Sequence, residues 1–235
     1  MTLQNTHQLM MIEPVHFGFN EQTATDNRFQ KDPGGTLQEK ALEEFTGFVQ
    51  LLRDNKVGVM VVTDTPEPHT PDSIFPNNWI SFHSDGTIVL YPMYAPNRRQ
   101  EAKQDVLDQV HKTFRVSRTI DLRSFANEGS FLEGTGSMVL DRANRFAYAC
   151  ISERTHEPLL REFCRIMDFI SLSFHAFDES GAPIYHTNVM LCIADDYAVI
   201  CAEAITDEAE RTHVLDQLSI SGKTIIPISR EQMSA

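Results

Sequence analysis

No apolar run in this sequence exceeds about six residues, far short of the ~20 that a helix needs to cross a bilayer. The first thirty residues mix polar and apolar types, so no secretory leader is read there. Basic residues are few. Twenty Lys and Arg stand against 33 Asp and Glu, for a net charge of -13, and no run of Lys or Arg occurs. That excludes an electrostatic footprint for nucleic acid or an anionic membrane. The nine histidines show no HxH or HExxH spacing, and the four cysteines show no metal-ligand spacing. A metal centre is therefore not expected. Cys150, Cys164, Cys192 and Cys201 lie in apolar stretches. They predict reduced, mostly buried thiols in a cytoplasmic protein.

What the sequence has is a repeat. Three short polar signatures recur at one phase: Phe75-Pro-Asn-Asn-Trp79, Leu132-Glu-Gly-Thr-Gly136 and Tyr185-His-Thr-Asn188. Asn78 and Glu133 are 55 residues apart, and Glu133 and His186 are 53 apart. Each signature is read as opening a strand that runs into a tight hairpin, followed by a helix and a closing strand.

In the second unit, Trp79–His83 and Thr87–Tyr91 flank Ser84-Asp85-Gly86. A helix is predicted from Asn97 with Val106, Leu107, Val110 and Phe114 on one face, and Arg118–Leu122 closes the unit. In the third, Ser137–Leu140 and Arg145–Ile151 precede a helix carrying Leu159, Leu160, Phe163, Ile166 and Met167, then strand Ile170–Ala176. In the fourth, Asn188–Ile193 and Tyr197–Ala202 precede a helix capped by Thr206, with Val214, Leu215 and Leu218 inward. Lys223–Ile228 closes it. The first unit is diverged: strand Gln8–Ile12, a polar loop over 20–35, a capping box of Thr36 and Glu39, a helix to about Asn55 and strand Val57–Thr63. In a ring of such repeats the signatures face one axis. An amide pair, a carboxylate and an imidazole would meet there.

The residue types suit chemistry on a small polar molecule. An unperturbed imidazole has its pKa near neutrality, which suits His186 to general acid/base work; a satisfied core histidine is the competing reading. Glu133 would hold N–H groups and orient His186, or bind nearby backbone N–H groups. Asn77 and Asn78 are either turn residues or pocket amides. Arg98, Arg99 and Arg154 are surface charges or carboxylate clamps. Asp72 sits in a turn sequence of its own.

The motifs carry a family resemblance. Pro71-Asp72-Ser73-Ile74-Phe75-Pro76-Asn77-Asn78 resembles the PDxxFxED segment of dimethylarginine dimethylaminohydrolases. Leu132-Glu133-Gly134-Thr135-Gly136 resembles the EGGD segment of arginine deiminases, and His186-Thr187-Asn188 their HxD. Ala95-Pro96-Asn97-Arg98-Arg99 and Ile151-Ser152-Glu153-Arg154-Thr155 resemble two arginine-bearing segments of the dimethylarginine enzymes. The chain is thus similar to the guanidine-modifying enzymes of the pentein fold, a five-bladed α/β propeller. Its FPNNW, LEGTGS and HTNVM strings are most similar to the citrulline-utilisation hydrolases.

The resemblance implies one domain over residues 1–235, with about four of five blades. It implies a hydrolase of a C–N bond in a ureido or guanidino amino acid that works by cysteine covalent catalysis without a cofactor. Glu133 and His186 would be catalytic. Asp72, Asn77, Asn78, Arg98, Arg99, Arg154 and Asn188 would bind a small amino-acid substrate, the arginines gripping its α-carboxylate.

Two departures bear on this expectation. The family's nucleophilic cysteine lies in a Gly-rich segment of the fifth repeat, and none of the four cysteines here matches it. The sequence is therefore read as C-terminally incomplete, expected to be inactive by itself and with flanks that favour homo-oligomers. Second, amides stand at Asn77, Asn78 and Asn188 where relatives carry acids. A guanidinium has only donors and suits a carboxylate, whereas a neutral ureide has a carbonyl acceptor beside N–H donors and suits an amide. Citrulline is the expected substrate. The alternatives are an arginine or methylarginine hydrolase, an amidinotransferase, or a non-catalytic binding protein on the same fold.

Overall fold

The computed structural model describes residues 3–24 and 37–234. The predicted capping Thr36, and the polar loop beyond Ala24, lie outside the described residues. The chain divides into two compact units: residues 6–122, and residues 123–235 together with 1–5.

The N-terminal unit begins with strand β1 (Gln8–Glu13), helix α1 (Leu37–Asp54) and strand β2 (Gly58–Thr63). β1 and β2 pair in parallel, Gln8 opposite Gly58 and Glu13 opposite Thr63. A parallel pair needs a crossover, and α1 lies within it. Then come β3 (Ile80–Phe82), β4 (Thr87–Leu90), helix α2 (Gln104–Thr113) and β5 (Arg118–Asp121). β3 and β4 form an antiparallel hairpin, and β5 returns parallel to β4. Helix α2 sits with Val106, Leu107 and Val110 buried. That is the i, i+1, i+4 stripe of a helix packed on one side. They join Ile12, Val62, Trp79, Ile80, Ile88, Leu90 and Met93 in one core.

The C-terminal unit repeats this pattern twice. A one-turn helix α3 (Gly134–Ser137) precedes β6 (Met138–Asp141), β7 (Phe146–Cys150), α4 (Glu157–Met167) and β8 (Ile170–Phe174). β9 (Leu191–Ile193), β10 (Tyr197–Ile200), α5 (Glu208–Ile220) and β11 (Thr224–Pro227) follow, and a short α6 (Arg230–Met233) ends the unit. In both repeats the first two strands are antiparallel and the third is parallel to the second. The core runs through both sheets, from Tyr148, Leu172 and Phe174 to Leu191, Ile200, Val214 and Leu218. Among the described residues no helix is long and apolar enough to cross a membrane.

Three details differ from the sequence reading. Helix α2 starts at Gln104, not Asn97, because Arg98–Gln100 closes a separate 3₁₀ turn. Lys103 then takes an extended backbone before the α-helix begins. Helix α5 is capped by Asp207, whose side chain accepts from the Glu210 N–H, rather than by Thr206. Most importantly, each signature occupies a single helical turn just ahead of its strand, not the strand itself. These turns are Pro76–Asn78, Gly134–Ser137 and Thr187–Val189. Glu133 and His186 each stand immediately before such a turn.

The hairpin between β3 and β4 gives a direct test of local backbone demand. Gly86 holds φ at +80°, and a Cβ there would lie 2.6 Å from the Ser117 Oγ and 2.8 Å from the Arg115 carbonyl oxygen. Gly86→Ala combines a left-handed strain with a collision against backbone. The expected cost is at least ~1 kcal/mol, read as a lower midpoint in urea unfolding. An unchanged midpoint would show that the hairpin re-forms without the turn.

Candidate functional site

In the C-terminal unit three segments converge on Glu133. The backbone N–H of Glu133 donates to Ser137 Oγ at 2.8 Å, and that hydroxyl donates to the Arg154 carbonyl at 2.7 Å. The Thr187 hydroxyl donates to the Ser137 carbonyl at 2.6 Å and accepts from the Cys150 N–H at 2.7 Å. Ser152 donates to the Tyr185 carbonyl at 2.8 Å and accepts from the Arg154 N–H at 3.2 Å. Short hydroxyls thus fix the backbones of 133–137, 150–155 and 185–187 together. This holds the side chains in place before any ligand arrives.

On that frame Glu133 Oε2 lies 2.8 Å from His186 Nε2 and 3.5 Å from Arg154 Nη1. Glu133 is 0% exposed, Arg154 2% and His186 5%. A carboxylate only accepts, so it places the His186 proton on Nε2. The same negative charge stabilises the imidazolium when His186 takes a second proton, as in other acid–histidine pairs. Arg154 partly neutralises Glu133 and lies with its guanidinium carbon 4.9 Å from the centre of the Tyr185 ring. Tyr185 in turn packs on His186, ring centres 4.8 Å apart. The structure therefore brings Glu133, His186 and Arg154 into one buried cluster. Asn188, two residues beyond His186, is exposed.

In the N-terminal unit Asp72, Asn78 and Arg98 form a second cluster. Asp72 ends a turn in which the Ser73 N–H donates to the Thr70 carbonyl, and Asn78 closes the 3₁₀ turn after Pro76. Arg98 is buried, with Nε and Nη2 donating to the two oxygens of Glu101 at 2.8 and 3.0 Å. Its Nη1 donates to Asn78 Oδ1 at 2.9 Å, and Nε stands 3.8 Å from Asp72 Oδ2. That same Asp72 oxygen accepts from Asn20 Nδ2 at 2.7 Å and Thr23 Oγ1 at 3.1 Å. Asn20 also accepts from Asn97 Nδ2 at 2.8 Å. Asn77 is partly buried on the same turn. Arg99 is exposed and donates to the Met93 and Tyr94 carbonyls.

The sequence reading passed over Glu101, Asn20, Thr23, Ser137 and Thr187. Glu101 carried a usable signal, since it stands three residues after Arg98, the spacing of one helical face. Asn20 carried none, because its partner Asp72 is 52 residues away.

Three of the four cysteines supply no activated thiol. Burial pushes the thiols of Cys150 and Cys164 up to about 12, and burial also raises Cys201. Cys150 further donates its S–H to the Ile184 carbonyl at 3.3 Å. Cys192 alone is exposed. Iodoacetamide at pH 8 is expected to label Cys192 and spare the other three until the chain unfolds, as read by peptide mass mapping. Rapid labelling of Cys150 in the folded protein would contradict its burial. Among the described residues no group of three or more His, Cys, Asp or Glu is placed to hold a metal ion.

Comparison with known proteins places this architecture. No curated protein matches the sequence. Among solved structures, the substrate-bound N-terminal domain of ArgZ, an arginine dihydrolase from the ornithine–ammonia cycle in cyanobacteria, is 18% identical with a TM-score of 0.72. The match covers 93% of this chain and 75% of that one. Unliganded AgrE is 20% identical with a TM-score of 0.75, over 96% of this chain and 30% of that one. A cysteine-to-serine mutant of the dimethylarginine hydrolase DDAH from Pseudomonas aeruginosa, complexed with citrulline, is 12% identical with a TM-score of 0.62. It covers 97% of this chain and 95% of that one. At these identities the likeness shows the pentein-type α/β fold. The chain spans only about a third of the full-length relatives such as AgrE. A family model described as N,N dimethylarginine dimethylhydrolase, eukaryotic, matches residues 13–235. With nearly its whole length matched, the chain belongs to the N,N dimethylarginine dimethylhydrolase family of guanidine-modifying hydrolases.

Proposed function

We propose that this protein serves the hydrolysis of a ureido amino acid, citrulline first, to ornithine, ammonia and carbon dioxide by cysteine covalent catalysis in the complete enzyme. The observation that carries the proposal is the buried Glu133–His186 pair at 2.8 Å; the amide at Asn78, where relatives carry an acid, favours the ureide. In this reading a thiolate adds to the ureido carbon and ammonia departs, protonated by His186. His186 then takes a proton from water as it attacks the thioester-like carbamoyl intermediate. Glu133 keeps the imidazole in the right tautomer and stabilises its charged form. The carbamate released falls apart to ornithine and carbon dioxide.

Asp72, Asn77, Asn78 and Asn188 are assigned to substrate binding. Asp72 takes the α-ammonium, and the amides take the planar ureido group. Of the arginines, Arg99 is the exposed one and is assigned to the α-carboxylate. Arg154 acts from behind Glu133, and Arg98 from behind Asn78. The nucleophile is not assigned to Cys150, Cys164 or Cys201, whose thiols are held protonated by burial. No cofactor has a part in this chemistry.

The family description favours a second reading, hydrolysis of a methylated arginine. Calorimetric titration with citrulline, arginine and dimethylarginine separates the two, combined with an ammonia and ornithine release assay. Citrulline binding tightest supports the ureide. Tightest binding of either guanidinium compound would replace it with the second reading, and binding of none would sink both.

A further inference from the structure

The geometry points to Arg98 and Glu101 as positioning residues that turn Asn78 into a hydrogen-bond donor, so that its carboxamide selects a ligand with an acceptor at that point. This rests on the assignment of Asn78 to substrate binding and names how the selection is made.

An asparagine side chain is ambiguous by nature. It carries a carbonyl acceptor and an NH₂ donor, and which faces a ligand depends on what holds the other. Here the other edge is fixed. Arg98 has only donors, and its Nη1 reaches Asn78 Oδ1 at 2.9 Å. The flipped amide would set NH₂ against N–H and lose that bond. Arg98 itself cannot swing away. Glu101 grips it through both carboxylate oxygens, at 2.8 and 3.0 Å, and both residues are 3% exposed. Bidentate pairs of this kind fix a plane as well as a charge. The carbonyls of Asp72 and Phe75 lie near Nη2 at 3.5 and 3.4 Å, adding to the constraint.

The consequence lies on the opposite edge of Asn78. Asn78 is 5% exposed, and Nδ2 donates no hydrogen bond among the described residues, yet it is not among the polar atoms shut off from solvent without a partner. A ligand that displaces water from such a donor loses affinity unless it returns an acceptor. The unmet edge is therefore where a ligand acceptor belongs. A ureide offers its carbonyl oxygen there. A guanidinium offers only N–H groups, which would face the amide N–H groups. Asp72 is set the opposite way. Its Oδ2 is occupied by Asn20 and Thr23, and Oδ1 accepts nothing among the described residues. The pair thus presents one donor and one acceptor, a pattern for a ligand with a carbonyl at one place and an N–H group or ammonium at another.

The test uses the 235-residue chain. In the free protein, ¹⁵N-edited spectra in D₂O should show the Arg98 Nε–H protected and the Asn78 Nδ2 hydrogens exchanging fast. Adding citrulline should shift the Asn78 side-chain resonance and leave the Arg98 Nε resonance in place. The paired variant Arg98→Met/Glu101→Leu removes the lock without leaving one charge buried alone. It should lower the citrulline-over-arginine affinity ratio by about tenfold or more, the scale of one well-placed hydrogen bond to a buried group. Asn78→Ala in the same background should then change the ratio little, which a merely structural role for Arg98 would not produce.

If citrulline binds and the variant folds with an unchanged ratio, the inference is wrong while the proposed function stands. If citrulline fails to bind the parent, the proposed function falls. The exchange pattern still decides the orientation, since a protected Asn78 Nδ2 overturns it. Should the paired variant not fold, the citrulline-induced shift in the parent decides, and a silent Asn78 side chain overturns the assignment.

Discussion

His186→Ala is expected to lower the rate of ureide hydrolysis by about 10²–10⁴, the usual contribution of positioned proton transfer, with little loss of folded stability. His186 bonds Glu133 through Nε2 and packs against the tilted Tyr185 ring, and its removal leaves a carboxylate still paired with Arg154. Glu133→Ala is expected to do more. It removes the acceptor that fixes the His186 tautomer. It also leaves the Arg154 guanidinium, 2% exposed, without its carboxylate. Breaking a buried pair from one side costs about 3–5 kcal/mol, enough to bring a domain of ordinary stability near its threshold. The two variants therefore separate chemistry from folding. Single-turnover rates of ornithine release, read beside urea unfolding curves, check the pair. Parental rates in a folded His186→Ala protein would remove His186 from the reaction. A Glu133→Ala protein as stable as its parent would show that Arg154 finds another partner.

The Glu133–His186 contact was legible in the sequence because it is a phase relationship. Glu133 and His186 stand 53 residues apart at the same point of a repeat, and the repeat brings equivalent points near each other without any contact being known. The strands were legible for the same reason, through alternation and the hairpin turns at Gly86 and after Asp141. What the sequence hid was set by long-range polar contacts. The pattern around Asn97 is helical, yet the chain breaks into a 3₁₀ turn there, where Arg98 turns inward to meet Glu101 and Asn78. No local propensity encodes that choice, because an arginine in a polar stretch is ordinarily solvated. Asn20 escaped for a similar reason. Its role as the donor to Asp72 exists only once residues 52 apart are folded together. Hydroxyls were the least visible of all. Ser137 and Thr187 read as ordinary strand-flanking residues, while in the fold each satisfies backbone groups of two distant segments.

Asn78→Asp is expected to invert ligand preference from citrulline toward arginine. The substitution changes an N–H donor into an oxygen at constant shape. One carboxylate oxygen would keep the bond from Arg98 Nη1, at 2.9 Å in the parent, and the second would take the place of the ligand-facing NH₂. Arg98 beside it favours the charged form. A guanidinium then meets an acceptor and an opposite charge. A ureide carbonyl meets an oxygen of like polarity, and the buried carboxylate loses solvation with nothing returned. Close charge pairs removed from water couple by roughly 1.5–7 kcal/mol, so even the lower bound shifts the ratio of affinities about tenfold. Glu101 limits the gain, because it already neutralises much of the Arg98 charge and leaves less positive charge to keep the added carboxylate ionised. Part of the inversion should therefore be screened at high salt to the extent that water enters the cluster. Calorimetric titration of both ligands against both forms reads the ratio directly. A parent and variant with the same preference would show that Asn78 does not face the planar group, and that the amides at these turns serve the fold rather than the substrate.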